Sequence, residues 1–246
     1  MAEANDTFPR LLIHHASVRG SRPAIREKNL GIWQTSTWST VLDEVRTIAC
    51  GLGAQGLRRG MNIAIIGDNR PRLYWATAAA QSLGAVPVTL YQDAAAEEWV
   101  FVFQNAEIEY AIAEDQEQVD KLLDIRELCP QLKHIYYDDG RGLRHYDQPE
   151  LASFETLQNI GREYHRANPV FFQAEIDKGA ATDVAAMFYT SGTTGNPKGV
   201  VHTHQSLLVA ARMGAEWEKL DANEEVLAYL PMAWIGQSIF SYAQAY

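Results

Sequence analysis

From Asn62 onward the chain alternates short apolar runs with helical stretches of mixed polarity. Ile63-Ala64-Ile65-Ile66 predicts a strand, and Asn69 is placed to cap a following helix whose first turn tolerates Pro71. Val86-Pro87-Val88-Thr89-Leu90 predicts the next strand and Ala94 to Gln104 a helix. Tyr110-Ala111-Ile112-Ala113 is again strand-like, Gln116 to Leu128 helical with Pro130 closing it, and His134-Ile135-Tyr136-Tyr137 strand-like. Strands alternating with helices of this length predict βαβ units, hence an α/β fold with parallel-rich sheets and flanking helices. Upstream, Ala24 to Trp38 reads as an antiparallel hairpin about Asn29-Leu30-Gly31, with Thr40 capping an amphipathic helix to about Leu52. Between Gly140 and Thr182 the periodicity fades. Ile235 to Tyr246 reads as the start of a helix with no stop signal after it, which predicts that the polypeptide continues.

The uncharged stretch from Leu73 to Tyr91 covers 19 positions, long enough to span a bilayer. Gly84 and Pro87 interrupt it, so it predicts a buried helix, turn and strand, with no transmembrane segment. Cys50 and Cys129 both fall in helical-looking segments without metal spacing; they are expected to be buried free thiols, as suits a reducing cytoplasm. The formal net charge of -10 over 246 residues argues against a nucleic-acid partner, which would need a basic face.

Gly51-Leu52-Gly53-Ala54-Gln55-Gly56 has dinucleotide-loop spacing, but a helix precedes it and a strand follows. That order is the reverse of the one that brings a phosphate to a helix N-terminus, so the segment reads as a helix end and turn. The chemistry lies at Tyr189-Thr190-Ser191-Gly192-Thr193-Thr194-Gly195-Asn196-Pro197-Lys198-Gly199. The apolar run Val184 to Phe188 delivers this loop from a strand. Gly192, Gly195 and Gly199 allow backbone N–H groups close to a polyanion. The hydroxyls of Thr190, Ser191, Thr193 and Thr194 add donors and magnesium contacts, and Lys198 adds a full positive charge. It is not a Walker loop, because Gly199 rather than Ser or Thr follows the lysine. His14-His15, Asp138-Asp139 and Glu224-Glu225 read as solvated surface, and His202 and His204 as helix-start or packing residues.

Residues 189–204, YTSGTTGNPKGVVHTH, resemble the signature loop of the adenylate-forming (AMP-binding) superfamily. Tyr229-Leu230-Pro231-Met232-Ala233-Trp234-Ile235-Gly236 is similar to that family's LPL-x-H segment, which borders the acyl pocket, with Trp234 where many relatives have His; a plain core aromatic is the other reading of Trp234. Gly67-Asp68-Asn69-Arg70-Pro71, Gly84 to Tyr91 and Glu114 to Lys121 resemble the long-chain fatty acyl branch. The resemblance implies a fatty acyl-CoA synthetase: ATP activates a fatty acid to acyl-AMP, and coenzyme A then takes the acyl group. It implies phosphate binding by Thr190, Ser191, Gly192, Thr193, Thr194, Gly195 and Lys198, magnesium near Thr190, catalytic roles for Lys198 and Thr190, and an acyl-pocket role for Trp234. Peripheral membrane contact is compatible with such a substrate. An aryl- or other carboxylate-activating enzyme and a non-catalytic nucleotide-binding module are the alternatives. The family's Tyr-Gly-x-Thr-Glu segment, ribose-binding Asp and C-terminal catalytic Lys have no counterpart here. Residues 1–246 are therefore expected to be the N-terminal part of the AMP-binding domain, without full activity alone.

Overall fold

The computed structural model describes residues 5–190 and 196–246. The chain opens with helix α1 (Phe8–Arg19), then strands β1 (Pro23–Asn29) and β2 (Ile32–Thr37), and helix α2 (Trp38–Ala54). Next come β3 (Asn62–Ile66), α3 (Pro71–Ser82), β4 (Val86–Leu90), α4 (Ala96–Asn105), β5 (Tyr110–Ala113), α5 (Gln116–Asp124) and β6 (His134–Tyr137). Then follow β7 (Leu151–Ser153), α6 (Phe154–Ala167), α7 (Phe171–Asp177), β8 (Val184–Thr190), β9 (Lys198–Thr203) and α8 (His204–Glu218). A short helical turn at Ile235–Gln237 leads into a π-helical turn at Ser238–Ala243.

A seven-stranded sheet runs β7-β6-β5-β3-β4-β8-β9. Its neighbours pair in parallel except β8 with β9, which are antiparallel. Strands β4 and β5 are buried along their whole length, which is why they read as unbroken apolar runs. Ile63, Ile65 and Ile112 point to the face covered by α2, α3 and α6. Ala64, Ile66, Ala111 and Ala113 point to the face covered by α4 and α5. A third apolar cluster joins Phe8, Phe188, Leu207 and Tyr242. The β1–β2 ribbon is a separate two-stranded sheet.

The glycines with dinucleotide-loop spacing have structural reasons. A Cβ on Gly51 would meet the Leu157 carbonyl oxygen at 2.4 Å, and one on Gly53 the Phe171 ring at 2.6 Å. Gly56 turns the chain out of α2 at φ 106. These residues seat α2 against α6 and α7 and then end it, so the helix-end reading holds and the spacing is incidental.

Local expectations need four corrections. The α2 cap is Thr37, whose hydroxyl accepts from the Thr40 N–H, because β2 runs directly into the helix. Asn69 does not cap α3; Arg70 occupies that position without a side-chain cap, and Asn69 bonds elsewhere. Cys129 lies beyond the end of α5, although both cysteines are buried and free as expected. His15 is not solvated: its ring packs on Trp38 at 4.7 Å between centroids and its Nε2 donates to the Tyr246 carbonyl oxygen at 2.6 Å. Phe8 also packs against the rings of Tyr242 and Tyr246, so α1 and the last residues of the chain form one aromatic cluster. Among the described residues no helix is long and apolar enough to cross a membrane.

Candidate functional site

Strand β3 hands the chain to α3 on one face of the sheet, whereas the adjacent β4 hands it to α4 on the other. In open α/β sheets such a divergence leaves a crevice outside the carboxyl ends of the strands, where ligands bind. Val88 and Thr89 of β4 lie beside Met187 and Phe188 of β8 in parallel register. Tyr91 and Thr190 therefore both leave the sheet at its carboxyl edge.

At that edge β8 turns back into β9, and Thr190 pairs with Lys198 across the mouth of the connection. Both are exposed. Ser191, Gly192, Thr193, Thr194 and Gly195 lie outside the described residues. No carboxylate among the described residues forms an ion pair with Lys198, so its charge is not already neutralised. Tyr189 anchors the hairpin by donating from its hydroxyl to Asn105 Oδ1 at 2.6 Å, and burial pushes its phenol pKa up. Gly199, opposite Tyr189, serves this anchor: a Cβ there would stand 3.1 Å from Met187 Sδ and 3.2 Å from Tyr189 Cζ. Its lack of a side chain makes room for the tyrosine ring.

The second segment with a family resemblance, Leu230 to Gly236, lies over the same edge. Asn69 Nδ2 donates to the Leu230 carbonyl at 2.9 Å, and the Tyr74 hydroxyl donates to Asn69 Oδ1 at 2.6 Å. Gln237 Nε2 donates to Tyr74 Oη at 2.5 Å, while Gln237 Oε1 accepts from the Leu230 N–H at 3.1 Å. This ring of bonds clamps the segment to the loop after β3. Met232 and Ala233 are buried, but Trp234 is 49% exposed and is not a core side chain. Its indole stands against the Tyr91 hydroxyl, whose pKa is raised by burial and partly held down by that contact. Asn69, Tyr74 and Gln237 were not singled out as site residues by sequence reasoning; their partners lie as far as 163 residues apart, and no local spacing signals them.

Below the crevice Glu114 fastens the β3 loop, accepting from the Asp68 N–H at 2.5 Å and from Arg70 Nε at 2.7 Å. That contact with Glu114 is the main cause of the raised Arg70 pKa. Asp138 and Asp139, expected to be free surface, instead pair with Arg72 and Arg141. His204 is buried, and its Nδ1 accepts from the Phe8 N–H at 3.3 Å. Burial lowers its pKa to about 4, with Asp183 and Asp6 opposing the shift. It packs, as expected, and takes no part in the edge.

The profile of the family described as AMP-binding enzyme matches residues 12–244. The chain belongs to that family. Among relatives of this AMP-binding chain, the long-chain-fatty-acid–CoA ligase ACSBG2 of Xenopus laevis is 28% identical over 235 residues, covering 93% of this chain and 31% of that protein. The acetoacetyl-CoA synthetase from Streptomyces lividans superposes with a TM-score of 0.79 at 19% identity, over 97% of this chain and 37% of that one. The inhibitor-bound N-terminal domain of FACL13 from Mycobacterium tuberculosis gives 0.73 at 22% identity, over 97% of this chain and 55% of that one. These likenesses show the adenylate-forming fold. The AMP-binding chain spans about a third of the length of the curated relatives it matches.

Proposed function

We propose that the AMP-binding chain serves ATP-dependent activation of a long-chain fatty acid to acyl-AMP, with release of pyrophosphate and transfer of the acyl group to coenzyme A. The observation that carries this reading is the Thr190–Lys198 pair at the mouth of a glycine- and hydroxyl-rich connection on the sheet's carboxyl edge. An uncommitted ammonium and a hydroxyl facing one another suit the β- and γ-phosphates of ATP. Catalysis at phosphorus rests mainly on positioning and charge neutralisation, which such a mouth supplies. Lys198 screens the leaving pyrophosphate, Thr190 offers an oxygen for magnesium, and Ser191, Gly192, Thr193, Thr194 and Gly195 complete the cradle.

Among the described residues no three acidic, histidine or cysteine side chains gather as a metal site. A magnesium ion here is therefore read as held chiefly by the phosphates, in keeping with its preference for few protein ligands. When bound, it neutralises part of the phosphate charge. Trp234, half exposed beside Tyr91, borders the acyl entrance. The fatty substrate is supported by the ACSBG2 relatives, which are long-chain-fatty-acid–CoA ligases. Because those relatives are about three times as long, the reaction is proposed for a full-length polypeptide in which residues 1–246 form the N-terminal part of the AMP-binding domain. The remaining magnesium, ribose and catalytic-lysine positions belong to its other parts.

The test is carboxylate-dependent exchange of pyrophosphate into ATP by the full-length polypeptide. Exchange is expected to be faster with a long-chain fatty acid than with acetate or benzoate. Preference for benzoate would move the assignment to an aryl-activating enzyme. ATP binding without any exchange would leave a nucleotide-binding module and refute the proposal.

A further inference from the structure

Among the described residues the β1–β2 ribbon is fastened at its base. Arg26 pairs with Glu225 at 2.6 Å, and β1 packs against α2 and α3. From Thr35, opposite Arg26, outward through Gln34 and Trp33 to Ile32, every β2 residue is exposed, although successive strand residues face opposite sides. The distal half is bare on both faces and projects from the body. At its tip Leu30 and Gly31 both have positive φ, 50 and 81, a two-residue turn that favours Asn-Gly. A leucine there adopts a disfavoured backbone conformation and gains no packing, being 92% exposed. With Ile32 at 62% and Trp33 at 64%, three large apolar side chains crown one small projection.

Charge at the tip departs from the rest of the molecule. The chain has 31 acidic and 21 basic residues, yet Lys28 is the only ionised side chain from position 28 to 35. Lys28 lies across from Trp33 in the ladder. The nearest acid on the ribbon, Glu27, is half-buried toward the body, where it adds to the effect of Glu114 on Arg70.

We propose that the β1–β2 tip is a membrane contact, with Leu30, Ile32 and Trp33 entering the headgroup–acyl boundary and Lys28 meeting anionic headgroups. A bilayer accepts a wedge that is apolar on both faces, and tryptophan beside a cation is suited to the interfacial zone. The ribbon flanks α3, which starts at the carboxyl edge, so the contact lies on the flank of the candidate site. This inference goes beyond the proposed activity and does not depend on it.

The experiment is flotation of the full-length polypeptide with vesicles of phosphatidylcholine and phosphatidylglycerol. Replacing the tip side chains together (Leu30→Ser, Ile32→Ser, Trp33→Ser) should lower partitioning by about tenfold or more, since binding scales with buried apolar area. Lys28→Gln should weaken binding less, and only on anionic vesicles. Leu30→Asn is the check on folding: it suits the turn better, so thermal stability should hold or rise while vesicle affinity falls. Wild-type protein that ignores vesicles, or a triple variant that binds as well as wild type, overturns the proposal. So does a wild-type dimer that the triple variant dissociates, which would assign the tip to a second copy of the chain.

Discussion

Replacing Lys198 by alanine separates a phosphate contact from a structural one. The side chain is exposed on β9, makes no ion pair with the described residues, and faces Thr190 across the hairpin mouth. Surface changes of this kind usually alter stability by about 0.5 kcal/mol or less. For a chain of this size that is roughly 1–2 °C in melting temperature. A charge-assisted contact to phosphate contributes about 1.5–3 kcal/mol. At about 1.4 kcal/mol per decade, its loss should slow adenylate formation roughly 10- to 150-fold. Lys198→Arg keeps the charge but replaces the compact ammonium with a planar fork, so partial rescue is expected. The assay is fatty-acid-dependent pyrophosphate release by the full-length polypeptide, beside thermal unfolding without nucleotide. A Lys198→Ala protein that melts many degrees lower, or releases pyrophosphate at the wild-type rate, refutes the assignment.

Gly199→Val should destabilise the fold by roughly 1–3 kcal/mol, because the new side chain crowds Met187 and Tyr189; an unchanged urea midpoint would show that the hairpin relaxes freely. His204 has its folded-state pKa lowered to about 4, so its contribution is full above pH 6.5 and is lost as pH falls from 6.5 toward 4. The unfolded state then takes up a proton that the folded ring, accepting from the Phe8 N–H, refuses. Between pH 7 and pH 5 this should remove roughly 2 kcal/mol. His204→Gln should lack that component of the pH dependence in urea titrations, and identical slopes for both proteins would rule it out. Trp234→Ala in the full-length polypeptide should alter the KM for fatty acid, or chain-length preference, more than the KM for ATP. Equal effects with reduced stability would make Trp234 a packing residue. Residues 1–246 alone should not form acyl-CoA at a useful rate in a thioesterification assay, and robust turnover would contradict the division of labour proposed above.

The parallel core was legible because its strands are buried on both faces: Ile63 to Ile66, Val86 to Leu90 and Tyr110 to Ala113 read as apolar runs whatever surrounds them. The hairpin about Leu30-Gly31 was legible from local turn chemistry. Elements defined by close approach were not. Helix α6 carries an apolar stripe of Phe154, Leu157 and Tyr164, but Gly161 interrupts it where the helix meets α2 so closely that a Cβ would overlap the Thr47 carbonyl oxygen. Strand β7 has three residues at the sheet's edge, too few for alternation to register. Choosing between Thr37 and Thr40 as the α2 cap depended on where β2 ends. The phosphate loop was read from glycine, hydroxyl and lysine chemistry. The clamp of Asn69, Tyr74 and Gln237 needed coordinates, because it closes between segments that only the fold brings together.

The aromatic cluster joining α1 to the last residues has a consequence for the order of assembly. The bond from His15 to the Tyr246 carbonyl spans 231 positions. Closing a loop of that length costs about 5 kcal/mol of chain entropy on a simple logarithmic estimate. Contacts so distant in sequence form late. On the ribosome, α1 emerges well before Tyr246, so the contacts of Phe8, His15 and Trp38 with that residue wait for it. Until then the side of α1 that meets Tyr246 stays open to water or to a chaperone, while the strands from β3 to β6 can already pair with one another.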